Sequence, residues 1–205
     1  MKTLRWPVVA FFLFLIPFAR ATRLEQVQST LASHSLVRAH FEQQRRIKGM
    51  PQSLNSSGEM VISASEGLLW QQMLPFPMRL VLQKDRMLQQ IQDQPPQVIT
   101  AQSNPQMFQF NHLLTALFSA DRTTLEANFS LAFTEQEKGR WALQLTPITT
   151  PLDKLFTTIT LQGGQFIDQV KLLDKQGDST LLTFSQQRTL PAALTAEEQA
   201  NFDAE

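Results

Sequence analysis

Short runs in which apolar and polar side chains alternate, each closed by a turn, recur from Val37 to Phe184 and leave this chain few folds to choose from. Successive side chains of a strand point to opposite faces, so Phe129, Leu131 and Phe133 set against Ser130, Ala132 and Thr134 read as a half-buried strand. The same period puts Val37, Ala39 and Phe41 on one side of a strand and Arg38, His40 and Glu42 on the other. A polar loop is expected from Arg45 to Ser57, with Gly49 and Pro51 as breakers. Strands follow at Gly58 to Ser63 and Gly67 to Met73, and Met78, Leu80 and Leu82 alternate with Arg79, Val81 and Gln83. Met87 to Ile91 continues the pattern up to a Gln-rich loop around Pro95-Pro96. Later runs centre on Trp141, Leu143 and Leu145, on Thr157, Ile159 and Leu161, and on Leu182 and Phe184. Gly163-Gly164 is expected to form a two-residue hairpin turn with both residues at positive φ.

Helical signals sit at three places. Thr22 to Glu25 fits a capping box ahead of Leu24, Val27 and Leu31, and Thr195 to Glu198 repeats that signature near the end of the sequence. Asn104-Pro105 opens a helix to Ser119 whose face carries Phe110, Leu114 and Leu117; being apolar around most of its girth, it must be covered on more than one side. Nine or ten strands in serial hairpins with two or three helices give an α+β domain, a strongly curved antiparallel sheet with helices covering its concave face.

The first residues carry a different message. Lys2 and Arg5 precede an apolar run from Pro7 to Phe18 and a small-residue site at Ala19-Arg20-Ala21, the layout of a cleaved export signal. The expected division is therefore a signal peptide over 1–21 and one domain over 22–205, released into the periplasm. The sequence has no cysteine, so neither a lipid-modified thiol nor a disulfide is expected. The signal takes three cations with it, leaving 15 basic against 18 acidic residues. That balance argues against nucleic acid as a partner, and also against adhesion to anionic lipid.

No catalytic set stands out, and the chain is read as a non-enzyme without cofactor or metal. There is no Cys nucleophile and no Gly-x-Ser-x-Gly elbow, and His34, His40 and His112 lack the spacing of zinc ligands. Each histidine reads as a surface or internally satisfied group. The positive signal is oily: 15 Phe and three Trp with no Tyr, in an exported chain whose curled sheet faces an apolar helix. Such a chain is suited to enclosing something hydrophobic.

The order of motifs from Val37 to Leu82 resembles the LolA family of periplasmic lipoprotein carriers. The resemblance rests on Phe41-Glu42-Gln43, then Gly58-Glu59-Met60-Val61-Ile62, then Gly67-Leu68-Leu69-Trp70; Trp141 to Pro147 resembles the family's late strand ending in Thr-Pro. It implies a half-open β-barrel with a helical lid, binding lipoprotein acyl chains or another lipid-like cargo between an inner-membrane donor complex and an outer-membrane acceptor. By family position and strand parity the cavity would be lined by Met60, Ile62, Leu68, Trp70, Phe41, Leu80, Phe129, Phe133, Trp141 and Leu143, under a lid carrying Phe110, Leu114 and Leu117. At one point the chain departs from the pattern. Where the family keeps an arginine followed by proline, six residues before the Trp, this chain has Ala64-Ser65. The polar latch is missing, so closure by other means or a different hydrophobic cargo is expected. Two other readings stay open on sequence: an interaction or sensor module on the same fold, and an enzyme acting on an acylated substrate.

Overall fold

A computed structural model describes residues 23–104, 116 and 121–204. The export signal and the lid residues Phe110, Leu114 and Leu117 lie outside the described residues. Eleven strands form one antiparallel sheet in the order β6-β5-β4-β3-β2-β1-β11-β10-β9-β8-β7. They are β1 (Leu36–Arg46), β2 (Leu54–Ser63), β3 (Gly67–Leu74), β4 (Met78–Leu82), β5 (Arg86–Ile91), β6 (Gln97–Thr100), β7 (Phe129–Glu135), β8 (Trp141–Pro147), β9 (Phe156–Gly163), β10 (Ile167–Asp174) and β11 (Ser179–Arg188). The described helices are α1 (Arg23–Ala32), α2 (Arg122–Asn128), α3 (Leu152–Leu155) and α4 (Ala196–Phe202). β6 and β7 are the two edges, so the sheet curls into an open, unclosed barrel of the expected α+β class.

Serial hairpins make two halves, and the pairing of β1 with β11 joins them, Phe41 lying opposite Phe184. One apolar cluster draws on strands from both halves, uniting Phe41 and Met60 with Phe129, Trp141, Leu143 and Ile159. Strands so far apart in the sheet order share a core only on the inside of a curl, so this is the concave face. Val27 and Leu31 of α1 and Leu125 of α2 are buried in the same cluster.

The convex face is covered as well. Leu36, Val61, Leu69, Val81 and Leu88 have the opposite parity and pack together against Phe202 of α4. Arg38, expected on a solvent face, is only 3 % exposed. Its guanidinium donates to both carboxylate oxygens of Glu198, at 2.5 and 2.7 Å, and to the carbonyls of Pro191 and Ala193. The segment from Pro191 to α4 is thereby strapped across the back of the first strands. α4 begins with the expected capping box, Thr195 and Glu198 bonding each other's backbone amides.

Three sequence expectations change. The polar loop after β1 is shorter than Arg45 to Ser57, because Arg45 pairs with Leu54 and Arg46 with Ser179. Backbone pairing on both sides keeps a strand going without apolar side chains. A sixth strand, Gln97–Thr100, occupies what read as loop; as an exposed edge it buries too little to show a period. Neither Gly163 nor Gly164 takes positive φ. The turn runs over 164–166, Gly164 N–H donating to the Phe166 carbonyl, and glycine is needed at 163 because any Cβ there would collide with that same carbonyl oxygen.

Candidate functional site

Across the first half of the concave face, pairing aligns Ala39, Met60, Trp70 and Leu80 in one row and Val37, Ile62, Leu68 and Leu82 in the next. The Trp70 ring lies on Phe41, centroids 3.6 Å apart and 25° between planes. In the second half Phe133, Leu143, Leu161 and Val170 form a matching row. Trp141 closes its end, fully buried, with its indole N–H donating to the Gly164 carbonyl at 2.8 Å.

The ten residues singled out for the cavity thus divide. Phe41, Met60, Phe129, Trp141 and Leu143 are buried in the concave cluster, while Ile62, Leu68, Trp70 and Phe133 pack at its margin. Leu80 continues the Trp70 row but stands half-buried outside the cluster.

Open space remains where the carboxyl end of α1 meets the starts of β1 and β10. There Leu31, Val37, Met60, Ile62, Phe166 and Ile167 enclose a cleft of about 160 Å³. Only Met60 and Ile62 among the expected cavity residues line it. Val37 shares their parity and was legible as a liner; Phe166 and Ile167 enter from a distant hairpin that local spacing cannot place.

The cleft's polar groups are few. Gln187 donates its amide to the Ile167 carbonyl at 3.0 Å. The His34 ring stacks on Phe166 at 4.7 Å, and its Nε2 is buried without a hydrogen-bond partner. This histidine, read from sequence as surface or satisfied, is half-buried with one ring nitrogen unpaired. Ala64, the position at which the resemblance implies an arginine, is exposed at the cleft's edge, so no guanidinium crosses the opening there.

Two larger hollows, about 760 and 520 Å³, lie elsewhere, one against Gln43, Gln44 and Asn55 and the other against Gln71, Gln90 and Arg79. Both hollows mix carboxamides with apolar groups, Leu74 and Leu181 in the first and Met73 and Met78 in the second; the small cleft is the one that opens between α1 and the concave face. Among the described residues no three His, Asp or Glu side chains gather as metal ligands would.

Replacing Trp141 with Phe should keep the ring's packing while removing the hydrogen bond to the half-buried Gly164 carbonyl. A loss of about 0.5–1.5 kcal/mol in denaturant unfolding, with little change in cleft binding, is the expected result.

Several known structures are similar to this chain. A LolA superfamily protein from Nitrosomonas europaea has 10% identity and a TM-score of 0.46, the match covering 84% of this chain and 96% of that one. A DUF1329 family protein from Desulfovibrio piger has 11% identity and a TM-score of 0.45, covering 89% and 98%. The Pseudomonas aeruginosa MucA/MucB complex has a chain of 15% identity and TM-score 0.38, covering 87% of this chain and 60% of that one. No curated protein matches in sequence. The family model for the outer membrane lipoprotein carrier protein LolA matches residues 32–197, from the end of α1 into α4. This chain belongs to the LolA family.

Proposed function

We propose that this protein is a periplasmic carrier that buries the acyl chains of lipoproteins, or of another lipid-like cargo, against its concave face and shuttles them toward the outer membrane. One observation carries the reading: in a chain of this family, an apolar cleft opens between α1 and the concave sheet. Export by residues 1–21 would put it in the right compartment. Among the described residues no helix is long and apolar enough to cross a membrane.

The cleft's size sets how cargo enters. About 160 Å³ receives a benzene-sized apolar group, so a whole acyl chain requires α1 to swing away. Val27 and Leu31 seat that helix, and exposed ion pairs from Arg23 to Glu135 and from Glu25 to Arg122 flank it. Uncovering two such side chains costs about 1.5–3 kcal/mol each, and exposed ion pairs add about 0–1 kcal/mol. Burying a chain of roughly sixteen carbons gains on the order of 12 kcal/mol. The cargo can therefore displace the helix. No turnover chemistry is needed, and His34 serves as a polar contact for the cargo's ester or amide.

The test is to purify the mature protein from the periplasm, extract it with organic solvent and identify bound acyl species by mass spectrometry. Recovery near one acyl-bearing molecule per protein is the expected result. No lipid, together with no binding of an apolar fluorescent probe, would contradict the reading.

A further inference from the structure

The two ends of the barrel differ in character. At one end the β1–β2 connection exposes Met50 and Leu54, and the β3–β4 connection exposes Leu74 and Phe76. The β8–β9 connection at the same end adds Ile148 and Leu155. Leu155 meets the β10–β11 turn, whose Lys175 amide donates to its carbonyl, and the Lys48 amide of the β1–β2 connection donates to Asp178 at the end of that turn. The tips therefore form one rim. At the opposite end, where the cleft opens, Leu190 is the one large exposed hydrophobic among the described residues.

Charge on the rim favours one kind of partner. Arg46, Lys48 and Lys175 stand exposed there, and none pairs with a carboxylate among the described residues; Arg45 and Lys154 are matched by Asp178 and Asp153, and Asp174 at the base of the β10–β11 turn accepts the amides of Gln176 and Asp178. The acidic balance of the whole chain hides this local excess. Separate apolar tips on convex loops, with cations behind them, suit a soft interface: tips sink below the headgroups while Lys and Arg reach lipid phosphates. We infer that this rim docks the protein shallowly and reversibly on an anionic lipid bilayer. The cleft lies at the other end, so docking and cargo entry are separable, and the inference stands apart from the carrier reading.

The test is flotation of the mature protein with vesicles of phosphatidylethanolamine and phosphatidylglycerol, and with vesicles of phosphatidylcholine alone. Binding to the anionic vesicles that weakens with salt is expected, with Leu74→Glu/Phe76→Glu cutting it roughly tenfold or more. Leu190→Glu should bind as the wild type does, and apolar-probe uptake should be unchanged in both variants. In a Phe76→Trp variant, brominated acyl chains in the vesicles should quench the added emission. Absence of flotation, equal flotation of the Leu74/Phe76 variant, or no quenching of Trp at 76 would overturn the inference. So would a wild-type dimer that the double variant dissolves, which would assign the rim to a second copy of the chain.

Discussion

Arg38→Ala is expected to lower unfolding stability by about 3–5 kcal/mol, the cost of leaving a largely buried ionic partner without its cation. Arg38 is 3 % exposed and holds Glu198 together with the carbonyls of Pro191 and Ala193; its removal strands the Glu198 carboxylate, while the two carbonyls, on exposed residues, can turn to water. In a domain of this size that corresponds to a fall of roughly 6–20 °C in melting temperature. The strap over Val61, Leu69 and Val81 should loosen first, seen as faster amide exchange along β2 to β4. A melting temperature within a degree or two of wild type would mean that the strap is held by apolar packing alone.

The same pair sets an acid dependence. The Arg38 hydrogen bond, helped by the Thr195 amide and opposed by burial, lowers the Glu198 carboxyl from 4.5 to about 2. A folded value below the unfolded one means the contribution is complete above the unfolded value and is lost as pH falls through the folded one. About 1–3 kcal/mol, the shift discounted for solvent screening, should therefore disappear between about pH 4.5 and 2 in the wild type, and Arg38→Ala should flatten that part of the profile.

The second large effect concerns binding. Ala64 is exposed at the edge of the cleft, so Ala64→Phe can drop a ring into about 160 Å³ without disturbing buried neighbours. Filling that space displaces the equivalent of three or four methylene groups of cargo, about 3 kcal/mol, or roughly a hundredfold in affinity for an apolar probe. Stability should hold or rise slightly, and Ala64→Ser should bind as the wild type does. Unchanged affinity in the Phe variant would place the binding surface elsewhere.

Sequence period carried the sheet well because each hairpin turn and strand parity is local. It misread the convex side for a reason visible in the same residues. Met60-Val61-Ile62, Leu68-Leu69-Trp70 and Leu80-Val81-Leu82 are continuous apolar runs, the mark of strands buried on both faces, and the middle residue of each proves to belong to the second core. Arg38 looked solvent-facing because its partner, Glu198, lies 160 residues away. α2 escaped notice although Asp121 caps it, since one buried residue, Leu125, gives no stripe. At the candidate site, parity found Met60 and Ile62, but the wall opposite them comes from Phe166 and Ile167, brought near only when the sheet curls. A list of parity-matched residues therefore mixed the packed core, such as Trp141 and Leu143, with the half-buried margin, such as Ile62 and Phe133.

The most direct measurement is a fluorescence titration of the mature protein with brominated palmitate. Trp70 sits beside Met60, a cleft residue, whereas Trp141 is sealed in the core, so bromine in the cleft should quench mainly Trp70. An acyl-binding cleft gives saturable quenching at one acid per protein, absent in Trp70→Phe and weakened in Ala64→Phe. Emission unchanged up to the concentration at which the acid self-associates would contradict it.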